Sequence, residues 1–541
     1  MSSLGDLLVP APLAPPGSLA ADFALGRRKC LDLFPPGAVS LARPAIRQGS
    51  GASACLSAED FGVTTPQAGA KLRRILAGEG VLVTTGQQPV LFLGPLYVLY
   101  KTLSAIETAR RIEARNGVPA LACFWIAADD SDWQEVGAAY LIGPDNELVE
   151  FRVEPQADRA AHSVGPSPLP TSIRDTVDGF VQRLGRSEFV DKYITLIQDA
   201  YRPGASYTEA FAALLHGLLA PRELAWIDSA GPAVRGASRD LLAWVLREAE
   251  AAGAAFSAAT RAVARAGYPP QLQDLEGATP VFFDTGAGRE RVYRSGEVVR
   301  LGRKGPTLPL AELLGMLEEA PHRFGPAASL RPVLESSLLP VAASILGPAE
   351  IAYWAQLGGL FDLAGVAMPM IRPRGTWRVI ERKVRKVLEK AGATPEDFSD
   401  GGRELGRRIV AEGRPPAVEG ALAAFHEDAA ASLERLREAI EKELPGIKSA
   451  VGKARAEVFR VAEEIERLID ARVRGRREIL LRQLRKAAVH LYPAGKPQER
   501  ILSPFYYLAR YGDAFVDEIA RCERAEEEAI PAHIAGVGGQ E

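Results

Sequence analysis

Three short stretches carry residue types able to act on a small molecule. The first is Thr84-Thr-Gly-Gln-Gln88 with Gly94-Pro95, Tyr97 and Lys101 just beyond it. Backbone N–H groups of Gly86, Gln87 and Gln88, together with a helix start at Gly94-Pro95, would suit phosphate or carboxylate. The plain alternative is a tight strand-to-helix turn that needs small residues, and the spacing fits neither glycine-rich nucleotide fingerprint. The second stretch, Asp129-Asp-Ser-Asp-Trp-Gln-Glu135, is dense in carboxylates. Asp129, Asp130, Asp132 and Glu135 could hold Mg2+, orient an ammonium group or serve as a general base; otherwise they form a solvated acidic loop, with Trp133 as its lid or its anchor. The third is Arg372 and Arg374, whose guanidinium forks bind carboxylate or phosphate bidentately, or else pair with acidic neighbours. Glu350 and Tyr353, one helical turn apart, are candidates for the same cleft, with core packing the alternative for Tyr353. The six histidines (His162, His216, His322, His426, His490 and His533) show no metal-ligand spacing, so no metal site is assigned.

The surrounding pattern places these residues at strand exits. Val81 to Thr84 is a β-branched run, as expected of a strand buried on both faces. Pro95 suits a first helical position, and Gly117 a left-handed helix end after Asn116. Pro119 opens a second strand ending near Ile126, directly before the acidic stretch. Leu224 to Asp228 reads as another strand, with a helix from Gly231-Pro232. Val281 to Arg300 reads as antiparallel, with turns at Gly286-Ala-Gly288 and Ser295-Gly296, either inserted into the parallel sheet or continuing it. Leu338 to Met370 is the most hydrophobic window, but Pro340, Pro348, Glu350 and Asp362 interrupt it. It therefore reads as a buried strand, a helix from Gly347-Pro348 through Leu363, and a strand over Val366–Ile371, not as a membrane span. Because loops leaving the carboxyl ends of parallel strands line the ligand crevice, the three polar stretches should open on one side of the sheet.

From about residue 415 the pattern changes. Leu422, Phe425, Ala429, Leu433, Leu436, Ile440 and Leu444 recur in steps of three and four, and the series resumes from Ile447 to Leu468. This is a coiled-coil heptad pattern, and Pro445-Gly446 implies a helical hairpin, not a rod. The expected division is an arm and first core elements over 1–75, a core over 76–414 with insertions near 145–220 and 255–330, the hairpin over 415–490, and a segment over 491–541 returning to the core.

The length of 541 residues exceeds one compact core. A hydrophobic share of 47% and a charged share of 25% are ordinary for globular proteins. The net charge of −3 gives no footprint for nucleic acid or an anionic membrane. Cys30, Cys55, Cys123 and Cys522 lack Cys-x-x-Cys spacing, which fits a reducing cytoplasm and no disulfide framework. Prolines 10, 12, 15 and 16 suit an extended arm, not a signal peptide.

Thr84-Thr-Gly-Gln-Gln-Pro…Gly94-Pro-Leu-Tyr…Lys101 resembles the signature of the bacillithiol-biosynthesis cysteine-adding enzymes. Phe124-Trp-Ile-Ala…Asp129-Asp-Ser-Asp-Trp-Gln-Glu135 is similar to a second segment of that family. So are Leu330-Arg-Pro332, Leu339-Pro340, Gly347-Pro-Ala-Glu-Ile-Ala-Tyr353, Pro497-Gln-Glu-Arg500 and Tyr511-Gly512. The resemblance implies an α/β, Rossmann-like core like that of class I aminoacyl-tRNA synthetases, with inserted connecting segments and a coiled-coil hairpin that mediates homodimerisation. It implies addition of L-cysteine to the amine of glucosaminyl-malate in the last step of bacillithiol biosynthesis. In that scheme Asp130, Asp132 and Lys101 are catalytic. Asp130 and Asp132 handle the amine, while Gly86, Gln87, Gln88 and Lys101 hold the activated carboxyl or its phosphate. Arg372 or Arg374 meets the malate carboxylates. Gly94, Pro95, Tyr97, Asp129, Trp133, Glu350 and Tyr353 complete the substrate surface. The mode of carboxyl activation stays open, with ATP or another nucleotide, and Mg2+, compatible.

The stretch departs from the family pattern: Ser131 occupies a position usually held by His, and Asp129 and Gln134 replace Glu and Asp; serine cannot act as an imidazole acid or base. A divergent homologue that binds a nucleotide or sugar acid without turnover is the rival expectation.

Overall fold

The computed structural model describes residues 7–39, 56–156, 159–444 and 448–529. Contacts divide the chain into two compact units, one within 1–144, 149–379 and 499–541, the other within 145–148 and 380–498.

The first unit is built on a six-stranded sheet. Its strands are β1 (Gly62–Val63), β2 (Val81–Gln87), β3 (Ala120–Ile126), β4 (Leu224–Asp228), β5 (Val341–Leu346) and β6 (Met370–Pro373). Their order across the sheet is β6-β5-β2-β3-β4-β1. All neighbours are parallel except the edge pair β1–β4. Continuous apolar runs make this possible: all seven residues of β3 are buried, as they must be when helices cover both faces.

Between β2 and β3 runs α1 (Tyr97–Asn116), ended by Gly117 at φ 67°. Pro95 lies ahead of this helix and not at its first position. The chain there is drawn inward, with Leu91–Leu93 buried and the Leu96 N–H donating to Leu502 O at 2.8 Å. β2 also extends past Thr84 to Gln87, because Thr85, Gly86 and Gln87 stay in register with Phe124, Trp125 and Ile126. Gly86 is required by that close pairing: a Cβ there would meet Trp125 O at 2.9 Å.

Ahead of β5 lies α2 (Arg331–Leu338); after it come α3 (Pro348–Trp354) and α4 (Gly358–Leu363). The single helix expected through Leu363 is thus two. The break is held by buried Gln356, whose Oε1 accepts the N–H groups of Gln271 and Leu272 at 3.0 and 2.9 Å. The last strand begins at Met370, not Val366, after the left-handed Gly365.

Residues Ala278–Asp284, Arg289–Ser295 and Val298–Leu301 do form an antiparallel meander. With Thr307–Pro309 and Phe324–Pro326 they make a five-stranded sheet of their own, so this segment does not continue the parallel sheet.

The order of the parallel strands has one consequence for function. From β2 the chain steps outward through β3 to β4, then returns to lay β5 and β6 on the other side of β2. The direction reverses between β2 and β5, and in open α/β sheets ligands bind beyond the strand ends at such a reversal.

In the second unit, α5 (Pro416–Glu443) and α6 (Lys448–Leu491) form the long helical pair. The expected Pro445-Gly446 interruption falls outside the described residues. Along α6, Val451, Ala462, Val473, Leu480, Leu484 and Leu491 are buried, whereas α5 has no fully buried residue. No described helix is long and apolar enough to cross a membrane.

Candidate active site at the reversal of the sheet

A cleft of about 400 Å³ opens at the carboxyl ends of β2 and β5. Its floor is Thr84, Thr85 and Ser344, where the Thr84 and Ser344 hydroxyls lie 3.1 Å apart and Thr85 donates to Ile345 O at 3.0 Å. Gly86, Gln87 and Gln88 form one wall, the start of α3 with Glu350 and Tyr353 another, and α2 contributes Arg331 and Glu335. Tyr97, Lys101, Glu135, Arg374 and Arg500 complete the polar lining.

Lys101 is buried and already engaged. Its Nζ donates to both Glu350 oxygens at 2.9 and 2.8 Å and to Gly86 O at 2.5 Å. Glu350 in turn accepts the Gly347 N–H at 2.6 Å. This pair ties the ends of β2 and β5 together across the reversal.

Arg374 is also committed. It forms a bidentate pair with Glu499 at 2.6 and 3.0 Å, both side chains almost wholly enclosed. Its guanidinium carbon lies 5.5 Å from the Tyr97 ring centre. Burial opposes its charge, and Glu499 more than compensates, raising its pKa above the usual arginine value. Arg372 is buried and does not line the cleft.

The acidic stretch is mostly architectural. Asp129 is fully buried, ion-paired with Arg235 and accepting the Ser229 hydroxyl at 2.7 Å. Burial works against its charge, but Arg235, Arg289 and Ser229 hold its pKa below the ordinary aspartate range. Asp130 accepts from Gln88 Nε2 at 3.0 Å and so braces the cleft wall, with Arg331 at 3.8 Å. Asp132 caps the short helix Trp133–Val136 through the Glu135 N–H at 3.0 Å. Trp133 is buried edge-on against Tyr207, ring centres 5.5 Å apart, and anchors the loop. Only Glu135 of this run reaches the cleft. Gly94 and Pro95 lie outside it, Gly94 packing near Ser503.

Three charged lining residues were given no role from sequence: Arg331, Glu335 and Arg500, although Arg331 and Arg500 lie in segments already noted there. The first two stand four apart on α2, one turn from each other, and that spacing was the available signal. Glu335 makes no ion pair within 4 Å among the described residues. Burial pushes its carboxyl up to about 7; the Thr84 hydroxyl pulls it down, Glu350 raises it further, and Arg331 and Lys101 oppose. Arg331 Nε is buried with no hydrogen-bond partner among the described residues. Arg500 is exposed and likewise unpaired there. No cluster of three or more His, Cys, Asp or Glu able to hold a metal occurs among the described residues.

Fold and cleft together define a Rossmann-like protein with a small-molecule crevice at the sheet reversal and a coiled-coil segment following it. Residues 54–375 match the family model described as bacillithiol biosynthesis BshC, N-terminal Rossmann-like domain, and residues 378–527 match its C-terminal coiled-coil domain. A protein of Salinibacter ruber is 33% identical over 83% of this chain and 82% of its own length. One of Heliobacterium modesticaldum is 30% identical over 83% and 82%, and one of Koribacter versatilis 30% over 85% of each. All three carry the name "Putative cysteine ligase BshC". The chain belongs to the bacillithiol biosynthesis BshC family.

Proposed function

We propose that this protein is a cysteine ligase, joining the carboxyl of L-cysteine to the amine of glucosaminyl-malate in the last step of bacillithiol biosynthesis. The observation that carries the proposal is the composition of the cleft at the reversal. It sets Arg500, unpaired among the described residues, and Arg331, whose Nε is unbonded and whose Asp130 contact is 3.8 Å long, beside Glu335 and Glu135, two carboxyls with no ion pair within 4 Å there. A dicarboxylate that also bears an amine needs that combination. Guanidinium forks meet the malate carboxylates, and carboxyls meet the ammonium. Gln87 and Gln88, with the floor hydroxyls of Thr84 and Ser344, are left to hold the activated carboxyl. Lys101 and Arg374 act by fixing the walls.

Purified protein incubated with glucosaminyl-malate, cysteine, ATP and Mg2+ is expected to yield a cysteinyl amide detectable by mass spectrometry. Binding of glucosaminyl-malate by calorimetry without that product would favour the rival reading, a sugar-acid-binding homologue. Ser131 is the residue that keeps this rival in view, since its side chain supplies no imidazole.

The long helical pair supports self-association. Phe425, Leu436 and Leu468 are 45%, 50% and 68% exposed, and exposed apolar residues along one helical pair suit a partner of the same kind. A homodimer through this segment is therefore part of the proposal. Cys30, Cys123 and Cys522, buried and unpaired, suit a cytoplasmic location.

A further inference from the structure

We propose that Glu335 is the base that accepts the proton of the substrate ammonium group, a role that rests on the ligase reading above. The amine must lose its proton before its lone pair can attack, and a positioned carboxylate is the ordinary means. The described carboxyls in and around the cleft differ in availability. Glu350 is held by Lys101 and the Gly347 N–H, Glu499 by Arg374, and Asp129 by Arg235 and Ser229. Asp130 accepts from Gln88 and from its neighbour Ser131 N–H at 2.8 Å, and Asp132 caps a helix. Glu135 is exposed at the mouth, 3.4 Å from Gln87 Nε2.

Glu335 differs from all of these. It stands on α2, inside the cleft, with no side-chain hydrogen bond or ion pair among the described residues and the Thr84 hydroxyl nearby. The titratable groups facing it come from every element around it. Arg331 is on its own helix, Lys101 on α1, Glu350 and Tyr353 on α3, and Cys123 on β3. Their opposing effects, with burial, leave the carboxyl titrating near neutrality, where a general base is most effective.

The step balances as follows. One N–H proton passes from the ammonium to the Glu335 carboxylate, giving a neutral amine and a carboxylic acid. The amine lone pair forms the C–N bond to the activated cysteine carboxyl, an acyl phosphate or equivalent mixed anhydride. As the bond from that carbon to the leaving oxygen breaks, the second amine proton departs with the leaving group.

The test is Glu335→Gln, which keeps shape but cannot take a proton. With the full-length protein, kcat at neutral pH should fall at least about 100-fold, the low end of general-base contributions. Calorimetric affinity for glucosaminyl-malate should fall far less than kcat, by the loss of one ammonium contact, so that most of the effect is made in the transition state. The wild-type rate should lose its acid limb near pH 7 in the variant, whose residual rate should follow only the ionisation of the substrate amine. An unchanged kcat and limb in E335Q, with active wild type, would overturn the role of Glu335 alone. No product from wild type would overturn the ligase reading, and this role with it.

Discussion

The same substitution makes a prediction about stability that needs no substrate. Glu335 ionises at about 7 in the folded chain against an ordinary value of 4.5. The folded state therefore binds more protons than the unfolded state between those values. Stability must fall as pH rises through that window, and the penalty is complete above it. At about 1.4 kcal/mol per pH unit, the displacement corresponds to about 3 kcal/mol of destabilisation once the carboxyl is charged in both states. Glutamine carries no such charge. E335Q should match wild type near pH 4 and exceed it by about 2–3 kcal/mol near pH 8, with the gap opening between the two pKa values. Urea unfolding followed by tryptophan fluorescence is the suitable assay. All six tryptophans (Trp125, Trp133, Trp226, Trp244, Trp354 and Trp377) lie in the first unit, so the signal reports the unit that holds the cleft. A gap that stays constant across the pH range would refute the reasoning, because it would mean that Glu335 titrates alike in both states. Greater stability combined with lost turnover would show a group retained for chemistry at the expense of folding.

Arg374→Met should destabilise the first unit by about 3–5 kcal/mol, since it leaves the enclosed Glu499 carboxylate without its partner. The double variant R374M/E499L should recover most of that loss; equal loss in both would show that the pair matters through packing and not charge. Gly86→Ala should cost about 1–3 kcal/mol by wedging β2 from β3, and should lower turnover; thermal unfolding unchanged from wild type would contradict the close approach to Trp125 O. Replacing Phe425, Leu436 and Leu468 together by Glu should reduce the light-scattering mass from dimer to monomer while helical circular dichroism persists. A mass unaffected by these changes would remove the helical pair from the interface.

What was legible in the sequence were features set by local chemistry. The β-branched run at Val81 and the apolar run at Ala120 announce strands because burial on both faces tolerates little else. Gly117 marks a helix end because its φ of 67° is costly for residues with a Cβ. The turns at Gly286 and Ser295 likewise locate the meander. What was hidden depends on partners distant in the chain. Residues 85–87 stay in β2 because β3 is there to pair with them. The break between α3 and α4 follows from Gln356 bonding to Gln271 and Leu272, some 84 residues away. Arg374 looked available because Glu499 lies 125 residues further on. The position of β5 beside β2, which decides where the crevice opens, has no local signature at all.

The density of carboxylates in a stretch of sequence measures how much negative charge must be accommodated, not how much is free to act. In Asp129–Glu135 the accommodation is structural: one carboxylate neutralises Arg235, one braces Gln88, and one caps a helix. A cation beside a carboxylate stabilises its charged form and so weakens its hold on a proton. A base therefore has to sit where the chain supplies no cation in direct contact. On α2 that condition is met by Glu335, which has no ion pair within 4 Å among the described residues. The arginines obey the converse rule. Arg374 is saturated by Glu499, whereas Arg331 keeps a buried Nε unbonded and Arg500 faces the opening. The ligand proposed above, with two carboxylates and an ammonium, would bond to Arg331, Arg500 and Glu335, which the strand order brings to one cleft.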